Sequence, residues 1–202
     1  MVEHENDGKG RSKKVLIVYS SLAGSTEEVA LKIKEKLDSS SVKTEIVKIN
    51  EKDQLKSLIQ QDLGQFSSVL LGSNIIAGKI HKNINKLLSK LESASLDDIK
   101  LGFFICCMKA CNAAKVTEAK NQYIEPKLKG YNLKFSIVDA FGGKLDFSPT
   151  SSMKPMMKGI IKKIMAKDNP ELGVIESKVY DFRDWQQIDK FASSWVDIVR
   201  KG

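Results

Sequence analysis

The sequence predicts a doubly wound parallel α/β sheet, and three observations carry that prediction. Apolar runs of strand length alternate with amphipathic helical stretches along the whole chain, as they do where parallel strands are joined by crossover helices. The first run, Val15–Tyr19, ends in a loop of small and hydroxylic residues, and a helix start follows at once. Finally, 202 residues at 42% hydrophobic and 29% charged suffice for one domain with an ordinary core, or one domain carrying a substantial insertion.

The elements follow in order. After strand Val15–Tyr19, the spacing of Val29, Ala30, Ile33 and Leu37 predicts a helix over about Thr26–Leu37. Ser25-Thr26-Glu27-Glu28 reads as a capping box at its start. Val42–Ile49 alternates, which places a strand near a sheet edge. A short helix, about Asp53–Gln60, leads to a buried strand at Ser67–Ser73. Ile80–Leu91 is helical again, with Ile80, Ile84, Leu87, Leu88 and Leu91 inward; Lys100–Cys107 is the next strand and Ala113–Lys129 the next helix. Leu133–Ala140 is the fifth strand. Asp184 is a good N-cap for a closing helix with Trp185, Ile188, Phe191, Trp195 and Val199 on one stripe.

Composition narrows the classes. No apolar run approaches the roughly 20 residues that span a bilayer, and residues 1–13 lack the apolar segment of a secretory signal, reading as a disordered lead-in that includes His4. Cys106, Cys107 and Cys111 are an odd number within six residues, a poor disulfide framework that suits a reducing cytoplasm. They lack the His partners and the C-x-x-C spacing of a zinc site, so no metal is expected. Cys106 and Cys107 point to opposite faces if the strand continues, with Cys111 in the loop beyond. The net charge of +8 predicts an acidic partner of some kind.

Ligands of such sheets sit beyond the carboxyl ends of the strands, which selects the loops Ser20–Ser25, Asn74–Lys79, Met108–Asn112 and the segment from Phe141 onward. No lysine follows Gly24, so the first loop lacks the residue that reaches the outer phosphates of a nucleoside triphosphate, and G-x-G-x-x-G is absent as well. What remains is a cradle without a cation, made of backbone N–H groups and the hydroxyls of Ser21, Ser25 and Thr26, suited to one phosphate monoester. The alternative is that small polar residues simply make a good turn and cap.

Ser21-x-x-Gly24-Ser25-Thr26 after the first strand resembles the flavodoxin phosphate loop, and the order of elements fits that superfamily. Within it, Gly72-Ser73-Asn74-Ile75-Ile76-Ala77-Gly78-Lys79-Ile80-His81, the basic Met-rich stretch 144–178, and Tyr180-Asp181-Phe182-Arg183-Asp184-Trp185 resemble segments of the menaquinone-dependent protoporphyrinogen oxidases. The resemblance covers Lys14 to Val199. It implies a flavodoxin-like five-stranded sheet of order 2-1-3-4-5 in residues 14–202, with 144–178 as an insertion. It implies FMN as cofactor, bound by Ser20, Ser21, Leu22, Ala23, Gly24, Ser25 and Thr26, by Ser73, Asn74, Ile75, Ile76, Ala77, Gly78 and Lys79, by Cys107, Met108, Lys109, Ala110 and Cys111, and by Phe141, Gly142 and Gly143. Leu22 and Ala23 stand where the family often has hydroxyl or charged residues, and Phe147 is the sole aromatic in the segment after the fifth strand, which is richer in Tyr, Arg and Trp in the oxidases.

Three functions follow as expectations: an FMN oxidoreductase of the protoporphyrinogen oxidase type in haem biosynthesis, an electron-transfer flavodoxin without an organic substrate, or a flavin-free binding module. His81 and Lys109 are weak catalytic candidates, and Lys79 or Lys109 would stabilise a reduced, anionic flavin. The acceptor would be a quinone or small-molecule substrate, with no nucleic acid partner. In the stretch Lys154–Lys167, Met156, Met157, Ile160, Ile161, Ile164 and Met165 form a double stripe, Lys154, Lys158, Lys162, Lys163 and Lys167 face away, and no acidic residue intervenes. That pattern suits a helix packed on its own core, an acidic redox protein, or peripheral attachment of a cytoplasmic protein to the inner membrane face.

Overall fold

Five parallel strands form the sheet in the computed structural model, which describes residues 14–94 and 99–201. The lead-in and His4 lie outside the described residues. The strands are β1 (Lys14–Tyr19), β2 (Lys43–Lys48), β3 (Ser68–Ile76), β5 (Lys100–Cys106) and β6 (Phe135–Phe141), in the order β2-β1-β3-β5-β6. A two-residue strand, β4 (Lys79–Ile80), pairs antiparallel with the end of β3. Counting the parallel strands alone, this is the expected 2-1-3-4-5 arrangement, with β2 at an edge.

Both faces of the sheet are covered. Within β1 the side chains alternate: Val15, Ile17 and Tyr19 join Val29, Ile33 and Leu37 of α1 (Ser25–Ser39) and Ile188, Phe191 and Trp195 of the C-terminal helix in one core. Leu16 and Val18 join Leu55 and Leu58 of α2 (Lys52–Gln60) and Ile84, Leu87, Leu88 and Leu91 of α3 (Lys82–Ser93) in the other. This period of two is what buries a strand on both sides and fixes its register. Cys106 belongs to the first core and Cys107 to the second, as their adjacency predicted.

Several expectations about elements need correction. Ile80 lies in β4, not in a helix; β3 runs on through Ile76, and a tight turn with Ala77 at φ 48° and Gly78 at φ 74° returns the chain, so the loop Asn74–Lys79 is a hairpin. The helix expected over Ala113–Lys129 is broken into α4 (Val116–Ala119), a π-turn over Lys120–Ile124 and α5 (Glu125–Leu128). Pro126 is the cause: it has no N–H for the carbonyl four residues back, and the ladder widens before it. In the last helix, α7 (Trp185–Lys201), the Asp184 Oδ1 cap accepts from the N–H groups of Gln186 (2.9 Å) and Gln187 (3.0 Å), as read, but Trp185 faces solvent beneath the Arg183 guanidinium.

The segment between β6 and α7 builds a small lobe. Strands β7 (Lys144–Asp146) and β8 (Val179–Asp181) pair antiparallel at its base, and α6 (Pro155–Asp168) lies across it over a core of Phe147, Met165 and Ile175. Of the double apolar stripe, which left core, partner and membrane open, only Met165 is buried, with Ile161 partly so. Met156, Ile160 and Ile164, the other row, point to solvent with Met157. Two lysines expected outside lie on the inner half instead: Lys158 Nζ donates to the Ser148 carbonyl (2.5 Å), and Lys162 Nζ sits 5.5 Å from the Phe147 ring centre. Among the described residues no helix is long and apolar enough to cross a membrane.

Candidate functional site

At the carboxyl ends of β1, β3 and β5 a cavity of about 220 Å³ opens between the first loop and the lobe. Its walls are Ser21, Leu22, Ala23, Ser25 and Thr26 from the loop and the start of α1, Asn74, Ile75 and Ile76 from β3, and Cys106, Cys107, Met108 and Cys111 after β5. The lobe closes it with Gly143, Lys144, Leu145 and Ile161.

The loop is held from behind by amides. Ser21 N–H donates to Asn50 Oδ1 (2.9 Å), and Asn50 Nδ2 donates back to the Ser21 carbonyl (2.6 Å). Fully buried Asn83 in turn donates through Nδ2 to the carbonyls of Ile49 (2.8 Å) and Asn50 (3.0 Å), so the first turn of α3 fixes the loop after β2 and, through it, Ser21. Ser20 Oγ donates to Asn74 Oδ1 (3.0 Å), tying the first loop to β3.

The capping box does not form. Gly24 is the N-cap residue at φ 86°, and no side chain closes the first turn. The two box residues are engaged elsewhere: Ser25 Oγ accepts from the Lys144 N–H (2.9 Å), and Glu28 accepts from Lys144 Nζ (2.6 Å) and Arg183 Nη1 (2.6 Å). The first helical bond is that of Glu28 N–H to the Gly24 carbonyl (3.0 Å), so the N–H groups before it point out of the helix end, where an anion is stabilised. Two residues of the same cavity wall, Ser21 and Thr26, carry buried hydroxyls, Ser21 Oγ and Thr26 Oγ1, that have no hydrogen-bond partner of proper geometry. A buried polar atom without a partner costs about 1–3 kcal/mol, and an oxyanion in the cavity would relieve both.

Arg183 carries the clamp between this helix end and the lobe. Its side chain is 3% exposed, its Nε and Nη2 grip Asp181 at 2.7 and 2.5 Å, and its Nη1 reaches Glu28. Hydrogen bonds from Lys144, then Arg183, hold Glu28 below the usual carboxylate range, and those from Arg183 do the same for Asp181. Both carboxyls titrate lower folded than unfolded, so their stabilising contribution is complete above about pH 4 and is lost as the pH falls through that range. An R183M substitution is expected to lower stability by about 2 kcal/mol, a drop in Tm of roughly 4–8 °C, and to shrink the acid-induced loss of Tm between about pH 5 and pH 3. Thermal unfolding followed by circular dichroism across that pH range checks it; an unchanged Tm would remove the clamp from the account.

The other candidates fall into place around this cavity. Ser21, Leu22, Ala23, Ser25, Thr26, Asn74, Ile75, Ile76, Cys107, Met108, Cys111 and Gly143 line it together. Ser20 and Ser73 do not: their hydroxyls bond Asn74. Ala77, Gly78 and Lys79 form the hairpin tip, where Gly78 and Lys79 face a separate groove with Lys82, Tyr123 and Lys127. Ala110 and Phe141 are buried, and Gly142 is packed against the carbonyl of Phe182. Lys109 Nζ is paired with Glu118, which directs its charge away from the cavity. His81 caps α3, its Nδ1 accepting from Asn83 N–H (3.3 Å), and burial followed by Lys82 pushes its pKa down, so it is neutral at pH 7. Neither catalytic candidate reaches the cavity walls.

Four lining residues escaped the sequence reading: Cys106, Lys144, Leu145 and Ile161. Lys144 is the most informative, because it puts an ammonium group beside a cradle expected to have no cation. The three thiols that line the cavity are free, and burial raises the pKa of Cys106 and of Cys111 to about 12. They stay protonated at neutral pH and are poor nucleophiles. Among the described residues no group of three or more His, Cys, Asp and Glu could hold a metal ion. Among the described residues no aromatic side chain lines the cavity.

A family model described as a flavodoxin domain matches residues 16–171. Among solved structures, the chain is similar to flavodoxin 2 from Bacillus cereus in its oxidised form (19% identity, 78% of this chain and 99% of that one, TM-score 0.47). It is also similar to rubredoxin oxygen:oxidoreductase from Desulfovibrio gigas (16% identity, 81% of this chain and 38% of that one, TM-score 0.45). A third is a single-site mutant of a flavo di-iron protein from Thermotoga maritima (19% identity, 79% of this chain and 36% of that one, TM-score 0.49). The chain thus spans well under half the length of these last two proteins. No curated protein sequence matches the chain.

Proposed function

The chain belongs to the flavodoxin domain family, and from that premise we propose that it is an FMN-binding electron-transfer protein. The observation that carries this reading is the pair of partnerless buried hydroxyls, Ser21 Oγ and Thr26 Oγ1, on residues that line a cavity at an uncapped helix start. The residues fit a phosphate monoester: hydroxyls and first-turn N–H groups donate, Lys144 neutralises the Glu28 carboxylate at the helix start, and the chain has no P-loop lysine for a triphosphate. FMN, when bound, supplies one- and two-electron chemistry, and the protein supplies position and electrostatics. Asn74, Ile75, Ile76, Cys107 and Met108 would line the rest of the cofactor, and Leu145 and Ile161 would keep water from it.

A second reading, an oxidoreductase of the protoporphyrinogen oxidase type, is favoured by one observation. The cavity mouth is aliphatic, with exposed Leu22 and Ile76 and no aromatic wall, so an organic substrate or quinone would meet an uncovered cofactor face.

The test has two stages. Purified protein incubated with FMN and desalted is expected to retain a flavin absorbance spectrum at about one flavin per chain; failure to take up FMN sinks both redox readings and leaves a flavin-free binding module. The loaded protein is then offered protoporphyrinogen with a quinone, and separately a ferredoxin-type partner. Reduction and reoxidation by the partner without turnover of the porphyrinogen is the result expected; porphyrinogen turnover would replace the first reading by the second.

A further inference from the structure

On α6 the apolar side chains left outside form a strip: Met156, Met157, Ile160 and Ile164 are 73%, 41%, 45% and 39% exposed. Lys154, Lys163 and Lys167 are exposed on the same helix, and among the described residues none of the three makes an ion pair. No acidic residue occurs between Met153 and Lys167, and Asp168 at the end of α6 is paired with Lys115 (2.8 Å), so the charge along the strip is positive. The strip runs beside Ile161, its helical neighbour, which lines the cavity together with Leu22 and Ile76, themselves exposed at the mouth. Apolar surface therefore continues from the helix to the cavity.

Large apolar side chains left out in water are costly, and a contiguous patch of them marks a surface that meets something. The helix face is convex and its charge is all of one sign. An anionic bilayer answers both features at once. It yields around a convex face, takes Met and Ile below the headgroups, and leaves lysine stems to snorkel toward lipid phosphates. Each lysine near such a surface adds attraction that salt screens. A folded partner would need a concave apolar groove ringed by carboxylates to do the same.

We propose that the exposed face of α6 docks the protein onto anionic lipid, with the cavity mouth turned toward the membrane surface. The proposal does not rest on flavin binding, because its readout is sedimentation with vesicles. The full chain is expected to sediment with phosphatidylcholine vesicles containing roughly 30 mol% phosphatidylglycerol, at least about tenfold more tightly than with pure phosphatidylcholine, and to be released by about 0.5 M salt. An M156S/I160S/I164S variant is expected to lose about tenfold or more in vesicle affinity, and a K154E/K163E/K167E variant a similar amount, both with unchanged circular dichroism because every substituted side chain is exposed. Three results would overturn the proposal. The first is no sedimentation of the wild type with anionic vesicles. Equal binding by both variants would assign the attraction to other basic surface of a +8 chain. Third, a wild-type dimer in the ultracentrifuge that M156S/I160S/I164S converts to monomer would show that a second copy covers the strip.

Discussion

An S21A/T26V double substitution is expected to weaken FMN binding by about two orders of magnitude while leaving the empty protein as stable as before, or more so. The two effects have opposite signs because both hydroxyls are buried and partnerless. Without a ligand each costs free energy, and replacing a partnerless hydroxyl by an apolar group of similar shape is neutral or favourable. With a phosphate present each would donate to a charged acceptor, a bond of about 1.5–3 kcal/mol, and the pair together gives the hundredfold loss. Cys106, whose thiol neighbours Thr26 and lines the same cavity, is too weak an acceptor to satisfy that hydroxyl. Fluorescence titration of FMN and thermal unfolding of the apoprotein read the two halves separately. Lost stability with unchanged affinity would mean that the hydroxyls serve the loop and not a ligand.

Gly142→Ala is expected to cost about 3 kcal/mol or more, lowering Tm by roughly 6–12 °C. A Cβ on Gly142 would press into the Phe182 carbonyl oxygen, 2.8 Å from the carbonyl carbon and 3.2 Å from the Ala110 oxygen. These are backbone atoms with no rotamer to escape into. At Gly72 a Cβ would meet the tip of the Phe104 ring, a side chain and not backbone. At Gly142 the strain falls on the crossing between the end of β6 and the strand that returns from the lobe, next to the bond from Phe182 N–H to the Gly143 carbonyl (3.1 Å). Since Gly143 and Lys144 line the cavity, FMN affinity should fall together with Tm. A variant with wild-type Tm would show that the crossing yields to a methyl group without loss.

What the sequence made legible was local. The strand–loop–helix unit Lys14–Ser39 could be read because each of its signals acts within a few residues: alternation in β1, helical spacing in α1, small residues between. The capping box misled because a side chain has one hydrogen-bonding future, and Glu28 had better partners 116 and 155 residues away. Pro126 was visible, yet its spacing does not say whether the helix stops there or widens into a π-turn and runs on. The apolar arc of α6 was too wide to orient: Met156, Ile160 and Ile164 make as good a stripe as Ile161 and Met165. Only the position of Phe147 beneath the helix decides which one is buried. Lys144, Leu145 and Ile161 could not be placed in the site at all, since the lobe folds back over a loop far earlier in the chain.

The clamp of Glu28 on Arg183 has a consequence in time. Closing a contact across 155 residues comes late in folding, because chain entropy must be overcome before the contact stabilises anything. During synthesis the first turn of α1 emerges long before Lys144 and Arg183 do, so the nascent chain carries a bare Glu28 at its would-be anion site. An acidic side chain left unpaired there repels phosphate. The ribosome-bound chain is therefore expected to refuse the ligand until the segment bearing Arg183 is made, which times anion capture to the synthesis of the lobe and not of the cradle itself.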